Sequence, residues 1–286
     1  MRVPVDQARG RQGAVRLKVG NPMARIHSSA IVDPKAELAD DVTVGPFTQI
    51  GPHVRIGAGT EVASHVVLAG HTTIGRNNRL FSFSALGTEP QDKKYRAEDT
   101  RLEIGDGNTI REFCLFNTGT IQGGGATKLG SNNWVMGYVH LAHDCVVGSN
   151  TILANAVQLA GHVEIGDWAV IGGKTGFHQF VRVGQHCMVG GGSIVLQDVP
   201  PFIMANGHPA GAHGVHVEGL KRRHYSAETI TVLKRAYRMI YRENLPLAEA
   251  RAALDAYIGE QTVEEHCAPL RSLAEFLAVP GRGIVR

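Results

Sequence analysis

Cysteine is scarce in this chain. The four present (Cys114, Cys145, Cys187 and Cys267) lie far apart with no C-x-x-C pair, which argues against a disulfide framework or a zinc ribbon and for free thiols in a reducing cytoplasm. Long apolar runs are absent too: none approaches the roughly 18 residues needed to cross a bilayer, so no stable membrane insertion is expected. Residues 1–22 carry five arginines or lysines and no apolar stretch of the kind that opens a secretory signal, and Met23 stands just before a regular pattern begins. Residues 1–25 are therefore expected to be a disordered extension or an over-long start. Aromatics make up only 6% of the chain, which speaks against a helical bundle, and the net charge of +3 is too small to argue for nucleic acid.

Glycine is abundant at 35 residues, and 43% of the chain is hydrophobic, as in an ordinary globular protein. Charge is unevenly placed: Lys221, Arg222, Arg223, Lys234, Arg235, Arg238 and Arg242 form a local basic face that suits an acidic partner or a phosphate.

The dominant feature is a repeat of six. From Ile26, every sixth residue is apolar (Val32, Leu38, Val44, Ile50, Ile56, Val62, Leu68, Ile74, Leu80, Leu86). Residues 92–103 interrupt the pattern but fill two hexads, and Ile104, Ile110 and Phe116 resume in register. A glycine-rich insertion, QGGGATK at 122–128, shifts the phase by one before Leu129, Val135, Leu141 and the hexads up to Val195. A period of six fits neither an α-helix nor a two-faced strand; it fits a hexapeptide β-helix, three hexads to a triangular coil. The expected fold is mainly β, a left-handed parallel β-helix over 26–205, followed by a small α-helical domain over 206–286. There Ser226 is a candidate cap for a helix running to about Glu243, Leu245-Pro246 starts another, and Thr262 with Glu265 reads as a capping box for a third.

In a coil of 18, residues 18 apart stack about 4.8 Å from one another. His143 therefore lies on Gly161 and Gly161 on Gln179, while Asp144 lies on His162, and His140 and His178 fall on the same edge. Three chemistries could use that edge. A metal site needs imidazoles that converge, whereas H-x-x-H at a corner splays them. Cys145 occupies an internal position, where a small buried side chain rather than a nucleophile is expected. General-base catalysis needs a histidine and a nearby N–H for an oxyanion, and Gly161 offers one with no side chain in the way.

The prism, QDKKY at 91–95, TIQGGGATK at 120–128, HLAHDC at 140–145, LAGH at 159–162, GFHQF at 176–180, QDVPPF at 197–202 and VEGLKRR at 217–223 together resemble the UDP-N-acetylglucosamine acyltransferases, over residues 26–286. The resemblance implies transfer of a 3-hydroxyacyl group from acyl carrier protein to the 3-hydroxyl of UDP-N-acetylglucosamine, the first step of lipid A biosynthesis, by a cytoplasmic homotrimer with no cofactor and no metal. It implies His143 as general base, Asp144 as its orienting partner and Gly161 N–H as the oxyanion donor. Gln91, Asp92 and Lys94 would reach the sugar, at a neighbouring subunit's site. His140, His162, His178 and Gln179 would line the sugar and acyl pocket. His216, Glu218, Arg222 and Arg223 would hold the uridine diphosphate, and Gly191 would set acyl length. Two departures stand out: His216 replaces an asparagine, and Asn117-Thr118 replaces a His-Arg pair. The competing readings are a trimeric zinc hydratase, like the hexapeptide-repeat carbonic anhydrases, and a structural scaffold without activity.

Overall fold

The computed structural model describes residues 24–279 and 281–286. The extension expected over 1–25 lies outside the described residues but for Ala24 and Arg25, and Arg25 already pairs with Thr43. Twenty-six short strands, from β1 (Arg25–Ile26) to β26 (Ile194–Val195), wind into a left-handed parallel β-helix. Each up to β23 pairs in parallel with the strand three further on, so three sheets form the faces of a prism: the first begins with β1, the second with β2 (Ile31–Val32) and the third with β3 (Glu37–Leu38).

The register is that of the repeat: His140 lies opposite Gln158, and Gln158 opposite Gly176. Two coils are longer. Ile74 pairs with Ile104 and Ile104 with Leu129, so the loop after β11 (Ala85–Thr88) and a 3₁₀ turn at Ile121–Gly123 bulge outward without breaking the ladder. The apolar first residues of the hexads point inward; Leu68, Leu86, Leu141 and Leu153 are at most 1% exposed. Burying each such side chain stabilises the prism by about 1.5–3 kcal/mol.

Most turns from one sheet to the next beyond Val44 place a residue in the left-handed conformation. Asn77, Asn132 and Asn150 suit it, but Phe47, His65, Phe83, Phe113 and Tyr138 adopt it as well. Their rings stack in an unbroken ladder, 4.8–5.2 Å between successive centroids. Such stacks contribute about 0.5–1.5 kcal/mol per pair, comparable to the roughly 1–2 kcal/mol that the conformation costs a residue with a Cβ. The corner from second to third sheet passes through Asp144, His162 and Phe180, and that from third to first through Trp168 and His186.

Beyond the hexads, β27 (Ile203–Gly207) extends the first sheet and β28 (Ala210–Val215) turns back antiparallel on it. The boundary expected at 205/206 thus falls inside a strand that still belongs to the prism. Helices follow: α1 (Val217–Arg222), α2 (Ala227–Tyr241), α3 (Leu247–Gly259) and α4 (Glu264–Ala278). Ser226 caps α2, its hydroxyl accepting from Thr229 N. The capping box expected at Thr262 does not form. Val263 takes the cap position, and Glu265 instead accepts a bond from the Thr229 hydroxyl (3.0 Å), so the contact between helices prevails over the local one. No helix among the described residues is long and apolar enough to cross a membrane.

Candidate active site at one corner of the prism

The corner between β17 (His140–Leu141) and β18 (Val146–Val147) carries the histidine cluster. His143 and Asp144 are buried there, 8% and 5% exposed, although corner residues of this fold ordinarily face solvent. His143 Nδ1 lies 2.8 Å from Asp144 Oδ2. Asp144 is anchored from several sides. Its backbone N–H donates to Thr127 Oγ1 (2.8 Å), Thr120 N donates to Oδ1 (2.8 Å), and the Thr120 hydroxyl donates to Oδ2 (2.6 Å). Burial pushes the Asp144 carboxyl up, but these bonds from His143 and Thr120, with His162 nearby, leave it below the usual carboxylate range. An ionised Asp144 can only accept, so the proton of a neutral His143 sits on Nδ1 and the Nε2 lone pair is free.

Gly161 makes room for that ring. A Cβ on Gly161 would stand 2.5 Å from His143 Cε1 and 2.7 Å from Nε2, so the imidazole rests on the glycine itself. Backbone bonds at the corner run from His162 N to His143 O and from Phe180 N to Gly161 O; among the described residues none uses the Gly161 N–H. His162 meets His143 edge to face at 5.1 Å and stacks on Phe180 at 4.4 Å. Burial pushes His162 below the ordinary imidazole range, against the pull of Asp144. Among the smaller influences, the charge of Asp92 raises it and that of Lys94 lowers it. His140 is half-buried, its Nδ1 3.1 Å from Leu115 O, and burial lowers it too. Cys145 is sealed inside the prism, where burial pushes its thiol up to about 12, too high for a nucleophile.

From this corner an open, mainly apolar cavity of about 470 Å³ runs along the second sheet, from His140 and His178 past Gln158 and Gly176 to Ile194 and Leu196. His178, which lines it, is exposed, and so is Gln179, the next residue, which does not line it. Gly191 is not part of the cavity lining; it sits at the preceding corner, against Gly173. Gln91 is exposed on the inserted loop.

The basic run lies elsewhere. Arg223 packs over Trp168 (5.1 Å) and donates to Trp168 O (2.9 Å) and Gly219 O (3.1 Å), at the corner from third to first sheet. Two of its five N–H groups are thereby used and three remain. His216 is buried under α1, its Nδ1 3.1 Å from His186 O. Glu218 and Arg222 are exposed, and Glu218 pairs with Lys221 (3.0 Å). A single chain therefore brings His143, Asp144, Gly161, His140 and His162 together but leaves the basic run on another edge.

Thr120, Thr127 and Trp168 escaped the sequence reading. Thr120 lies 24 residues from Asp144, and the 3₁₀ turn between them hides the 18-residue stacking. The ligand atoms of His143, Asp144 and His162 all lie within 4.8 Å of one another, close enough in principle for a metal ion. Asp144 Oδ2, however, already faces His143 and accepts from Thr120, and a metal would have to displace both.

Comparison with known proteins bears on this geometry. The family model described as UDP N-acetylglucosamine O-acyltransferase, domain 2, matches residues 198–285, and that of the bacterial transferase hexapeptide matches 35–70 and 126–157. The acyl-[acyl-carrier-protein]–UDP-N-acetylglucosamine O-acyltransferase of Herminiimonas arsenicoxydans is 53% identical over 265 residues, 92% of this chain and 100% of that protein. Its namesake from Thiobacillus denitrificans is 57% identical over 209 residues, 73% of this chain and 79% of that one. The crystal structure of the UDP-N-acetylglucosamine O-acyltransferase of Moraxella catarrhalis superposes with a TM-score of 0.88 at 42% identity, covering 91% of this chain and 99% of that one.

Proposed function

Since the chain belongs to the UDP-N-acetylglucosamine O-acyltransferase family and is an acyltransferase, we propose that it moves a 3-hydroxyacyl group from acyl carrier protein to the 3-hydroxyl of UDP-N-acetylglucosamine, with His143 as general base. The observation that carries this assignment is the His143–Asp144 pair, whose geometry leaves Nε2 free above Gly161.

In the step proposed, Nε2 takes the proton of the sugar 3-hydroxyl as its oxygen attacks the thioester carbonyl. Asp144, held by Thr120, keeps the imidazole in the reactive tautomer and stabilises the imidazolium. The Gly161 N–H faces the oxyanion of the tetrahedral intermediate, which collapses as the carbon–sulfur bond breaks, and the imidazolium returns the proton to the thiolate. The acyl chain lies in the cavity along the second sheet. His140, His162, His178 and Gln179 border it, and Gln91, Asp92 and Lys94 contact the sugar. His216, Glu218, Arg222 and Arg223 hold the uridine diphosphate. Because those last residues lie on another edge, a complete site needs a second prism, which supports assembly as a homotrimer. A cytoplasmic setting agrees with the soluble donor and nucleotide sugar.

An acyl-transfer assay with UDP-N-acetylglucosamine and hydroxyacyl carrier proteins tests this reading. His143→Ala should lower turnover by at least ~10²–10⁴-fold, the usual contribution of a general base, and should melt as the wild type does. Near-normal turnover in the variant would refute the base; loss of wild-type activity to a chelator would favour the zinc alternative.

A further inference from the structure

The Asn117-Thr118 departure has a structural role that rests on the proposed function and deepens it. Both residues are buried, 1% and 3% exposed, between the inserted loop and the histidine corner. Asn117 Nδ2 donates to Thr88 Oγ1 (2.9 Å) and to Glu89 O (2.8 Å), at the first root of the loop that carries Gln91, Asp92 and Lys94. Thr118 N donates to Thr88 O (2.9 Å). At the second root, the Thr100 hydroxyl donates to Thr118 Oγ1 (3.2 Å), and Gly119 N donates to Arg101 O (3.2 Å). One residue later, Thr120 makes its two bonds to Asp144.

Four consecutive residues thus grip both ends of the loop and the carboxylate behind His143. The segment has little freedom to give way. A Cβ on Gly119 would stand 2.3 Å from Ala126 N, and one on Gly123 2.0 Å from the Asp144 carboxyl carbon, so the chain is pressed close on both sides. The orientation of the Asn117 amide is settled by its neighbours: Glu89 O can only accept, so the nitrogen must face it. Its Oδ1 is buried with no partner among the described residues, so the side chain is held by its donor end alone.

We infer that Asn117–Thr120 is a positioning strap that sets the sugar-facing loop and the Asp144–His143 pair in one register. A displacement at the loop root reaches Asp144 through three peptide units, each hydrogen-bonded. Loosening the strap therefore impairs sugar binding and the chemical step together, whereas removal of a loop charge alone acts on binding. None of these four residues touches the reacting atoms.

Thr118→Val keeps shape and removes the hydroxyl that accepts from Thr100; Thr118→Ser keeps that hydroxyl; Asn117→Ala frees the first root. We expect Thr118→Val to raise KM for UDP-N-acetylglucosamine and lower kcat, each roughly three- to tenfold, the range of one hydrogen bond. Asn117→Ala should do the same more strongly, while Thr118→Ser should stay near wild type. All three should still melt in one cooperative transition above the assay temperature, Asn117→Ala and Thr118→Val a few degrees below wild type because each leaves a buried polar group unpaired. A second readout needs no turnover: the His143 Nδ1–H resonance in the free enzyme should move in Asn117→Ala and Thr118→Val. An increase in KM with kcat and the resonance unchanged, or no change in any of them, overturns the strap. If the wild type itself transfers no acyl group, the proposed function fails, and the resonance alone still decides whether loop root and dyad are coupled.

Discussion

Replacing Gly161 by alanine is the sharpest test of the corner geometry, because the perturbation is a single methyl group whose neighbours are known. The backbone at Gly161 is not left-handed, so alanine adds no conformational strain there. Its Cβ would stand 2.5 Å from His143 Cε1, 2.7 Å from Nε2 and 3.1 Å from Nδ1. Carbon atoms rest about 3.5–4.0 Å apart, so the imidazole must retreat by about 1 Å. That retreat is resisted by the 2.8 Å contact with Asp144, itself held by Thr120 and Thr127. A misplacement of ~1 Å at a reacting group lowers rate by about 10²-fold. We therefore expect Gly161→Ala to reduce kcat by about two orders of magnitude, with a smaller change in KM for either substrate. Single-turnover acyl transfer measures the chemical step, and thermal melting checks the fold. Gly259→Ala, whose Cβ meets nothing within 4 Å, provides the baseline for an innocuous glycine substitution. A Gly161→Ala enzyme with kcat within threefold of wild type would refute both the seat of the ring on Gly161 and its role in catalysis.

Gly191 lies outside the cavity lining, at the corner that precedes Ile194, so Gly191→Met tests whether the acyl chain runs on past that cavity. A shift toward shorter chains in a competition among hydroxyacyl carrier proteins is expected if the thioether takes the room of its last methylenes, and an unchanged profile would confine the chain to the cavity and move the ruler to another residue. Arg223→Ala should raise KM for the nucleotide sugar roughly 10-fold or more, as expected for a charge-assisted bond, and activity should fall with ionic strength if the same surface steers the acidic carrier protein; a KM indifferent to Arg223 would place the diphosphate elsewhere. His186, stacked between Trp168 and Phe202, is pushed down to about 4 by burial and by the Arg223 guanidinium, Asp167 opposing and His216 adding. In the unfolded chain an imidazole titrates near ~6.5, so the unfolded state binds more protons between those values. Stability is thus whole above ~6.5 and is lost as pH falls toward about 4. The melting temperature of His186→Phe should fall less steeply between pH 7 and 5 than that of the wild type, and parallel slopes would refute the assignment.

The period of six determined the prism without any tertiary information. Each hexad carries its own inward residue and its own corner, so the 18-residue arithmetic places His143 on Gly161 and Asp144 beside His162, as the structure has them. Ser226 as the cap of α2 was legible for the same reason: the signal and its partner lie three residues apart. The tertiary structure alone decided what lay outside the period. Thr120 reaches Asp144 across a 3₁₀ turn that adds residues to one coil, and no regular spacing encodes that bond. Glu265 had two possible partners, and only the packing of α4 on α2 selected Thr229. Arg223 met Trp168, 55 residues away, because α1 folds back onto a different corner from the one that bears His143. Local, periodic interactions can be read along a chain; contacts between an insertion or a helix and the prism depend on where the whole fold carries them.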